Sequence, residues 1–175
     1  RLSNTFQSVK GLKIKNETIS TYLDCFIDAY ILSKSYRYDI KGRSYIDTPL
    51  KYYFTDIGLR NVRLNFRQQE ENHIMENIIY NELIARGFNV DVGVVEYNYT
   101  DENGKKIRTQ LEVDFVVNRT DKRYYIQSAY MIPDAEKREQ EIRSLRKIDD
   151  SFKKIVITSH APAPLYDEHG ILTVN

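Results

Sequence analysis

Acidic side chains of this sequence recur at spacings that could bring them together around a metal ion. Glu112 and Asp114 lie two residues apart in the apolar run 111–117. Because side chains alternate between the two faces of a β-strand, both carboxylates are predicted on one face. The same alternation predicts four apolar residues on the opposite face, namely Leu111, Val113, Phe115 and Val117. One or two carboxylates, completed by water and substrate phosphate, are the usual protein ligands of Mg²⁺.

A third carboxylate, Glu76, lies in the helical pattern of residues 70–86. It shares a helix face with Ile79, Tyr80 and Leu83, because offsets of three and four residues return to the same side. A Mg²⁺ or Mn²⁺ ion held by such carboxylates can generate the hydroxide that attacks a phosphate. The pattern predicts Asp114 as the central metal ligand and Glu76 as the outer one. The structural alternative is that both are buried carboxylates that bond to the backbone or to Gln127.

The strand predicted at 124–129 lacks the charged groups that such a hydrolytic site needs. Alternation places Tyr125, Gln127 and Ala129 on one face, so a neutral amide and a methyl group stand where a carboxylate and a lysine are required. Losing one charged stabiliser costs on the order of 100- to 1,000-fold in rate. We therefore expect little catalysis from Glu76, Asp114 and Gln127, unless a cation such as Lys137 or Arg138 enters from the following helix.

A second candidate surface is the basic hairpin predicted over residues 34–53, which turns at 41–43. It carries five basic and two acidic residues, a local charge of +3. The basic residues, which we predict to contact DNA phosphates, are Lys34, Arg37, Lys41, Arg43 and Lys51. We expect weak, salt-sensitive backbone contact, because the preceding helix is acidic and unsuited to the major groove. The alternative is that these charges only protect a sheet edge from aggregation.

Composition narrows the class of protein. The 175 residues carry a net charge of +1, which excludes a globally basic nucleic-acid binder. The single cysteine, Cys25, cannot form an internal disulfide, and the three histidines lack the spacing of a zinc site. No run approaches the roughly 20 apolar residues of a membrane span, so we expect a cytoplasmic protein. The first residue is not Met and no phosphate-binding glycine loop is present, which suggests part of a longer protein.

The periodicity divides the chain into two predicted units. In residues 1–65, an amphipathic helix within 16–32 followed by the hairpin is the outline of a partial winged helix-turn-helix. Residues 66–175 begin with the helix at 70–86 and follow the order α-β-β-β-α-β, which predicts an α/β sandwich. The later elements are strands at 88–99, 111–117 and 124–129, a helix from 133 or 134, and strands at 154–158 and 170–174. The predicted fold class is α/β (α+β).

Five phrases, in this order, resemble the C-terminal region of bacterial and archaeal AAA-type ATPases: Arg37–Gly42, Lys51–Asn61, Met75–Leu83, Glu112–Phe115 and Tyr125–Tyr130. The order of helix Glu, strand Asp and a degenerate (D/E)xK strand is similar to the PD-(D/E)xK nucleases. The resemblance implies a restriction-endonuclease-like core over 66–175 in which Glu76, Asp114 and Gln127 occupy vestigial catalytic positions, with Glu112 nearby.

The same resemblance implies a regulatory or DNA-engaging tail of a prokaryotic ATPase, and the missing carboxylate and lysine predict that this tail is non-catalytic. Its implied partners are DNA and an upstream ATPase domain that would bind ATP and Mg²⁺, and an incomplete winged helix also suits homo-oligomers. Two alternatives stay open from the sequence: a protein-interaction module for ATPase assembly, and a residual metal-dependent nuclease.

Overall fold

The computed structural model of the chain describes residues 2–67, 70–100, 102 and 104–175. Within these ranges the chain forms five helices and eight strands. The helices are α1 (Leu2–Lys10), α2 (Asn16–Asp28), α3 (Ile57–Arg63), α4 (Glu71–Ala85) and α5 (Ala135–Arg146). The strands are β1 (Leu32–Asp39), β2 (Ser44–Phe54), β3 (Asn89–Thr100), β4 (Lys106–Arg119), β5 (Lys122–Ser128), β6 (Lys153–Ile157), β7 (Leu165–Tyr166) and β8 (Ile171–Val174).

All the described strands belong to one mixed sheet with the order β2-β1-β3-β4-β5-β6-β8-β7. The pairs β1·β3, β5·β6 and β6·β8 are parallel, and the other neighbours are antiparallel. The predicted α/β (α+β) class is confirmed. None of the described helices combines the length and apolar character needed to cross a bilayer.

The two faces of the sheet carry separate hydrophobic cores. One face packs against α5 through Ile142, Leu145 and residues such as Val113, Val116 and Tyr125. The other face packs against α4 through Tyr80, Phe115, Val117 and Ile126. In α4 the predicted face is the buried one, since Glu76 and Tyr80 are buried and Ile79 and Leu83 pack against the core. Ile78 and Ile84 of the same helix are exposed.

A β-bulge in β4 changes the predicted alternation. Asp91 of β3 pairs with Val116 and Gly93 pairs with Val113, so β4 uses one more residue than its partner over this interval. The extra residue turns Phe115 toward α4, although Val113 packs against α5. The prediction that Val113, Phe115 and Val117 share one face is therefore wrong beyond the bulge.

Gly93 explains how β3 tolerates the bulge. A Cβ atom built at Gly93 would lie 2.9 Å from Ile40 Cδ1, from Val113 Cβ and from Val116 Cγ2. Contacts this short do not occur with real side chains, so only glycine fits between the hairpin and β4 without displacing its neighbours.

The basic hairpin is an edge of the main sheet. Its first strand, β1, pairs in parallel with β3 through Arg37, Tyr38 and Asp39. The boundary predicted near residue 65 falls in the connection between α3 and α4, and the sheet is continuous across it. The assignment of residues 1–65 to a partial winged helix stays a prediction.

Candidate functional site

Three carboxylates converge on the ammonium group of Lys51 on the α4 side of the sheet. Lys51 Nζ lies 2.7 Å from Glu76 Oε1, 2.9 Å from Glu112 Oε1 and 3.9 Å from Asp114 Oδ1. We call these four residues, with Arg37, the carboxylate cluster. The structure therefore brings Glu76, Glu112 and Asp114 together. It also places among them a lysine of β2 that was predicted to contact DNA phosphates.

Strand β2 places Lys51 and Tyr53 on one face because they lie two residues apart. The Tyr53 hydroxyl donates to Glu76 Oε1 at 2.7 Å. Its ring stacks on Tyr80 with centroids 3.9 Å apart, and it also contacts Phe115. The cluster is thus fixed to the α4-side core through aromatic packing, which holds the Glu76 carboxylate in one orientation.

Arg37 of β1 closes the cluster on the hairpin side. One guanidinium nitrogen, Nη2, lies 2.6 Å from Glu112 Oε2, and Nε donates to the Pro49 carbonyl at 2.8 Å. The Pro49 contact is available because β2 has extra residues here: Ser35 pairs with Lys51, yet Arg37 pairs with Ile46. The irregular stretch of β2 is therefore stabilised by the same arginine that binds Glu112.

On the β5 side, Asp114 bonds mainly to backbone. Its Oδ2 accepts from the Ser128 N–H at 2.8 Å, and its own N–H donates to Gln127 Oε1 at 3.4 Å. Ala129, at the position of the missing lysine, is 4% exposed and packs in the α5-side core. The structural alternative from the sequence, in which both carboxylates bond to the backbone or to Gln127, holds for Asp114 only, because Glu76 bonds to the side chains of Lys51 and Tyr53.

The electrostatics follow from burial and from the crowding of like charges. Burial, together with the charge of Glu76, raises the pKa of Asp114 to about 7. Burial opposes the charged form of Lys51, but Glu76, Asp114 and Glu112 outweigh it and raise the lysine pKa. Burial disfavours the Glu112 carboxylate as well, yet Lys51 and Arg37 lower its pKa. Lys51 and Glu112 are thus held in their charged forms.

Mg²⁺ or Mn²⁺, the ions predicted at Asp114 and Glu76 from the carboxylate pattern, do not fit this donor set. Mg²⁺ requires oxygen ligands at about 2.0–2.1 Å, and the Lys51 ammonium already lies between Glu76 and Asp114. One oxygen of Glu76 accepts from both Lys51 and Tyr53. Among the described residues, no group of three or more His, Cys, Asp and Glu side chains has a metal-binding arrangement.

A cation does reach the carboxylates from another element, as the sequence left open, but it is Lys51 of β2 and not Lys137 or Arg138 of the following helix. Lys137 pairs with Glu141 at 2.6 Å on α5 itself. Arg138 pairs with Asp167 at 2.9 Å. Helix α5 covers the opposite face of the sheet, so neither side chain can reach Glu76 or Asp114.

The five basic residues predicted to bind DNA divide into two groups. Arg37 and Lys51 are neutralised by the carboxylate cluster. Lys34 lies over the Tyr36 ring at 5.6 Å. Lys41 and Arg43 are exposed at the hairpin tip, where Asp39 Oδ1 accepts from the N–H groups of residues 41 and 42. Only Lys34, Lys41 and Arg43 therefore contribute basic groups outside the cluster.

A cleft of about 550 Å³ lies beside the hairpin tip, on the α5 side of the sheet. We call it the cationic cleft; its basic lining residues are Lys41, Arg43, Lys122 and Arg123. The Arg123 guanidinium lies 5.2 Å from the Tyr38 ring and 5.5 Å from the Phe152 ring, and its Nε donates to Asn118. Asp121, Asp149 and Asp150 also line the cleft, so its charge is mixed.

Sequence reasoning missed the roles of Lys51 and Tyr53 in the cluster. Their spacing of two residues in a predicted strand was a usable signal that they share a face. Which face it was, and what lay opposite, depended on the pairing of β2 with β1 and on the packing of α4. No signal in the sequence pointed to the contact between Lys51 and Glu76.

Comparisons with known proteins give relatives without a described function. The chain is 34% identical over 158 residues to an uncharacterized protein of Haemophilus influenzae, a match that covers 90% of this chain and 35% of the relative. It is 33% identical over 145 residues to an uncharacterized protein of the archaeon Methanocaldococcus jannaschii, covering 81% of this chain and 29% of the relative.

The chain thus spans about a third of the length of the curated relatives it matches. No family model matches the chain. No solved structure matches it either.

Proposed function

We propose that this chain is a DNA-engaging, non-catalytic region of an AAA-type ATPase, built on a nuclease-like core. The observation that carries the proposal is the convergence of Glu76, Glu112 and Asp114 on the α4 side of the sheet, with the Gln127 amide bonded to the Asp114 backbone. Converging carboxylates of this kind resemble those of a phosphodiester-cleaving site, and the strand that resembles the (D/E)xK strand carries no lysine.

The loss of catalysis is supported by the bonding of each carboxylate. Glu76 accepts from Lys51 and Tyr53, and Glu112 accepts from Lys51 and Arg37. Asp114 accepts from the Ser128 N–H. Carboxylate oxygens that already accept hydrogen bonds from the protein are poor metal ligands and poor acceptors for an attacking water. Binding either one requires breaking charge-assisted hydrogen bonds.

DNA contact is supported by the basic groups that stay outside the cluster. Lys41 and Arg43 project from the hairpin tip, next to Lys122 and Arg123 in the cationic cleft. Phosphate contacts of this kind give binding that depends on salt and not on sequence. The full-length relatives are long enough to hold an ATPase domain as well, which suits the proposed tail of a motor protein.

The direct test is a fluorescence-anisotropy titration of the chain against duplex and single-stranded DNA at two salt concentrations with Mn²⁺ present. The recovered DNA is then run on a gel. We expect binding that weakens with salt and DNA that stays intact. The variant Lys41→Glu/Arg43→Glu should bind more weakly, with the salt slope reduced by about 0.9 for each phosphate that it no longer neutralises.

The matched control is Arg143→Glu/Arg146→Glu on α5, which changes the net charge equally at a surface outside the hairpin. Equal loss of affinity in both double variants would show a general charge effect and contradict the hairpin as the DNA surface. Cleaved DNA that disappears in Asp114→Asn would instead establish a residual nuclease.

A second candidate function, assembly of the ATPase through protein contacts, is favoured by the N-terminal helices. Helix α2 has no buried residue, and α1 and α2 expose Val9, Tyr22 and Phe26. Where exposed apolar groups form a contiguous patch, they mark a protein interaction surface. Binding of no DNA at low salt, together with concentration-dependent association in sedimentation analysis that Phe26→Ser abolishes, would favour this function over DNA engagement.

A further inference from the structure

The Lys51 ammonium lies where a divalent cation would compensate three converging carboxylates. It is the shared partner of Glu76 and Glu112, at 2.7 and 2.9 Å, and it faces Asp114 at 3.9 Å. The lysine comes from an edge strand, whereas its partners come from α4 and from the centre of the sheet. We infer that Lys51 replaces the metal ion of this site and, by doing so, ties the hairpin to the core.

Burial makes this replacement necessary. The side chains of Glu76 and Asp114 are only 10% and 12% exposed, so water cannot screen the repulsion between them. The Lys51 ammonium at the centre lowers that repulsion, and its N–H groups donate hydrogen bonds to two of the carboxylates. Without it, the fold must hold adjacent buried carboxylates with only Arg37 to compensate them.

Lys51 also connects separate elements. Tyr53, two residues along β2, donates to the same oxygen of Glu76, so β2 contacts α4 through both an ammonium and a hydroxyl. Beside them, Asn77 of α4 bonds to both backbone groups of Phe54. The end of β2 is therefore held to α4 by polar contacts, and the ion pair of Lys51 is the charged member of this set.

The inference does not depend on DNA binding by the hairpin. It predicts opposite metal responses for the native protein and for a variant without the ammonium. Native protein should show no change in melting temperature with millimolar Mn²⁺ and no broadening of the Mn²⁺ electron paramagnetic resonance signal. Lys51→Ala should melt on the order of 5–10 °C lower in a chelator, and Mn²⁺ should recover at least half of that loss.

The matched control is Lys34→Ala, which removes a lysine from the same hairpin whose ammonium lies over Tyr36 and not among carboxylates. It should melt within about 2 °C of the native protein and show no response to Mn²⁺. The double variant Lys51→Ala/Glu76→Gln removes one of the repelling charges. It should melt above Lys51→Ala in a chelator and lose most of the Mn²⁺ recovery.

The double variant also keeps the test decisive if Lys51→Ala fails to fold, because relief of the repulsion should then restore folding. The inference is overturned if native protein binds Mn²⁺ in a manner that Glu76→Gln abolishes. It is equally overturned if Lys51→Ala melts at the native temperature, or if Mn²⁺ stabilises Lys51→Ala and the double variant by the same amount.

Discussion

The carboxylate cluster and the cationic cleft lie on opposite faces of the same sheet, and both use side chains of the β1–β2 hairpin. In the cluster, Lys51 and Arg37 are neutralised by carboxylates, and Tyr53, whose ring stacks on Tyr80 in the core, binds one of these carboxylates. In the cleft, Arg123 is held by the Tyr38 and Phe152 rings and by an amide, and Lys41 is exposed. Similar basic side chains thus stabilise the fold on one face and stay available for a ligand on the other.

The difference comes from what lies opposite each cation. On the α4 side of the sheet, Glu112 and Asp114 of β4 lie beside Glu76. A lysine side chain on this side therefore forms ion pairs with carboxylates. The cleft lies beside α5 and faces solvent. Aromatic rings and charges of both signs line it, so its basic side chains can still donate hydrogen bonds to a ligand. Substitutions in the cluster should therefore change stability, whereas those in the cleft should change ligand binding.

The largest expected difference between the cluster and the cleft is the loss of stability when a neighbouring phenylalanine is replaced by alanine. Phe115→Ala should lower the free energy of unfolding by about 3–5 kcal/mol, because Phe115 is fully buried against Tyr53 and Tyr80. Phe152→Ala, in the cleft and 40% exposed, should cost about 1 kcal/mol or less. Urea denaturation of both variants measures the contrast, and equal losses would contradict it.

The next effect is the pH dependence that Asp114 gives to the cluster. Its pKa is raised from 3.8 to about 7 in the folded chain, so between these values the folded state holds the extra proton. The resulting stability is complete below about pH 4 and is lost as pH rises through 7, by up to about 1.4 kcal/mol per pH unit. Asp114→Asn keeps an acceptor for Ser128 N–H and should flatten the urea-midpoint profile between pH 5 and 7. A profile that is unchanged from the native one would contradict this assignment.

A smaller effect is expected from the hydroxyl that orients Glu76. Tyr53→Phe keeps the ring stack with Tyr80 but removes the donor to Glu76 Oε1. Hydrogen bonds to charged groups contribute about 1.5–3 kcal/mol, so a loss at the lower end of that range is expected because Lys51 continues to bind the same oxygen. Tyr45→Phe is the comparison on the cleft side, where the hydroxyl donates to Asp91. If Tyr53→Phe is as stable as the native chain, Lys51 alone orients Glu76.

The smallest stability effect should come from the exposed cations of the hairpin tip. Lys41→Ala should change the free energy of unfolding by less than about 0.5 kcal/mol, because the side chain is exposed. The same substitution should weaken DNA binding at low salt. A large loss of stability, measured by thermal denaturation, would remove the distinction between the cleft and the cluster.

Much of the local structure could be predicted from the sequence. Periodicity predicted α4, α5 and the strands β3 to β6 and β8, and it predicted that Glu76 lies on the buried face of its helix. The spacing of Glu112 and Asp114 predicted that both face the same side, and both do contact Lys51. Helices α1 and α3 and the two-residue strand β7 were not predicted, because their patterns are too short to show a period.

The candidate site was only partly predictable, and Lys51 shows why. Its spacing from Tyr53 is a local property, but its partners are 25 and more residues away in sequence. A count of charges along the hairpin treated Lys51 and Arg37 like Lys41, since composition cannot tell which side of a strand meets a carboxylate. The bulge in β4 was equally invisible, because it depends on how β3 and β4 pair around Gly93.

What the sequence determined by itself was the type and order of the main elements, two carboxylates on one strand face and a third on the apolar face of a helix. These follow from side-chain periodicity, which acts over a few residues. The tertiary structure decided that the hairpin joins the main sheet, that Phe115 turns toward α4, and that Lys51 sits among the carboxylates. Each of these depends on strand order, register and helix packing. These bring together residues that are distant in sequence, and a buried charge is stable only beside an opposite charge.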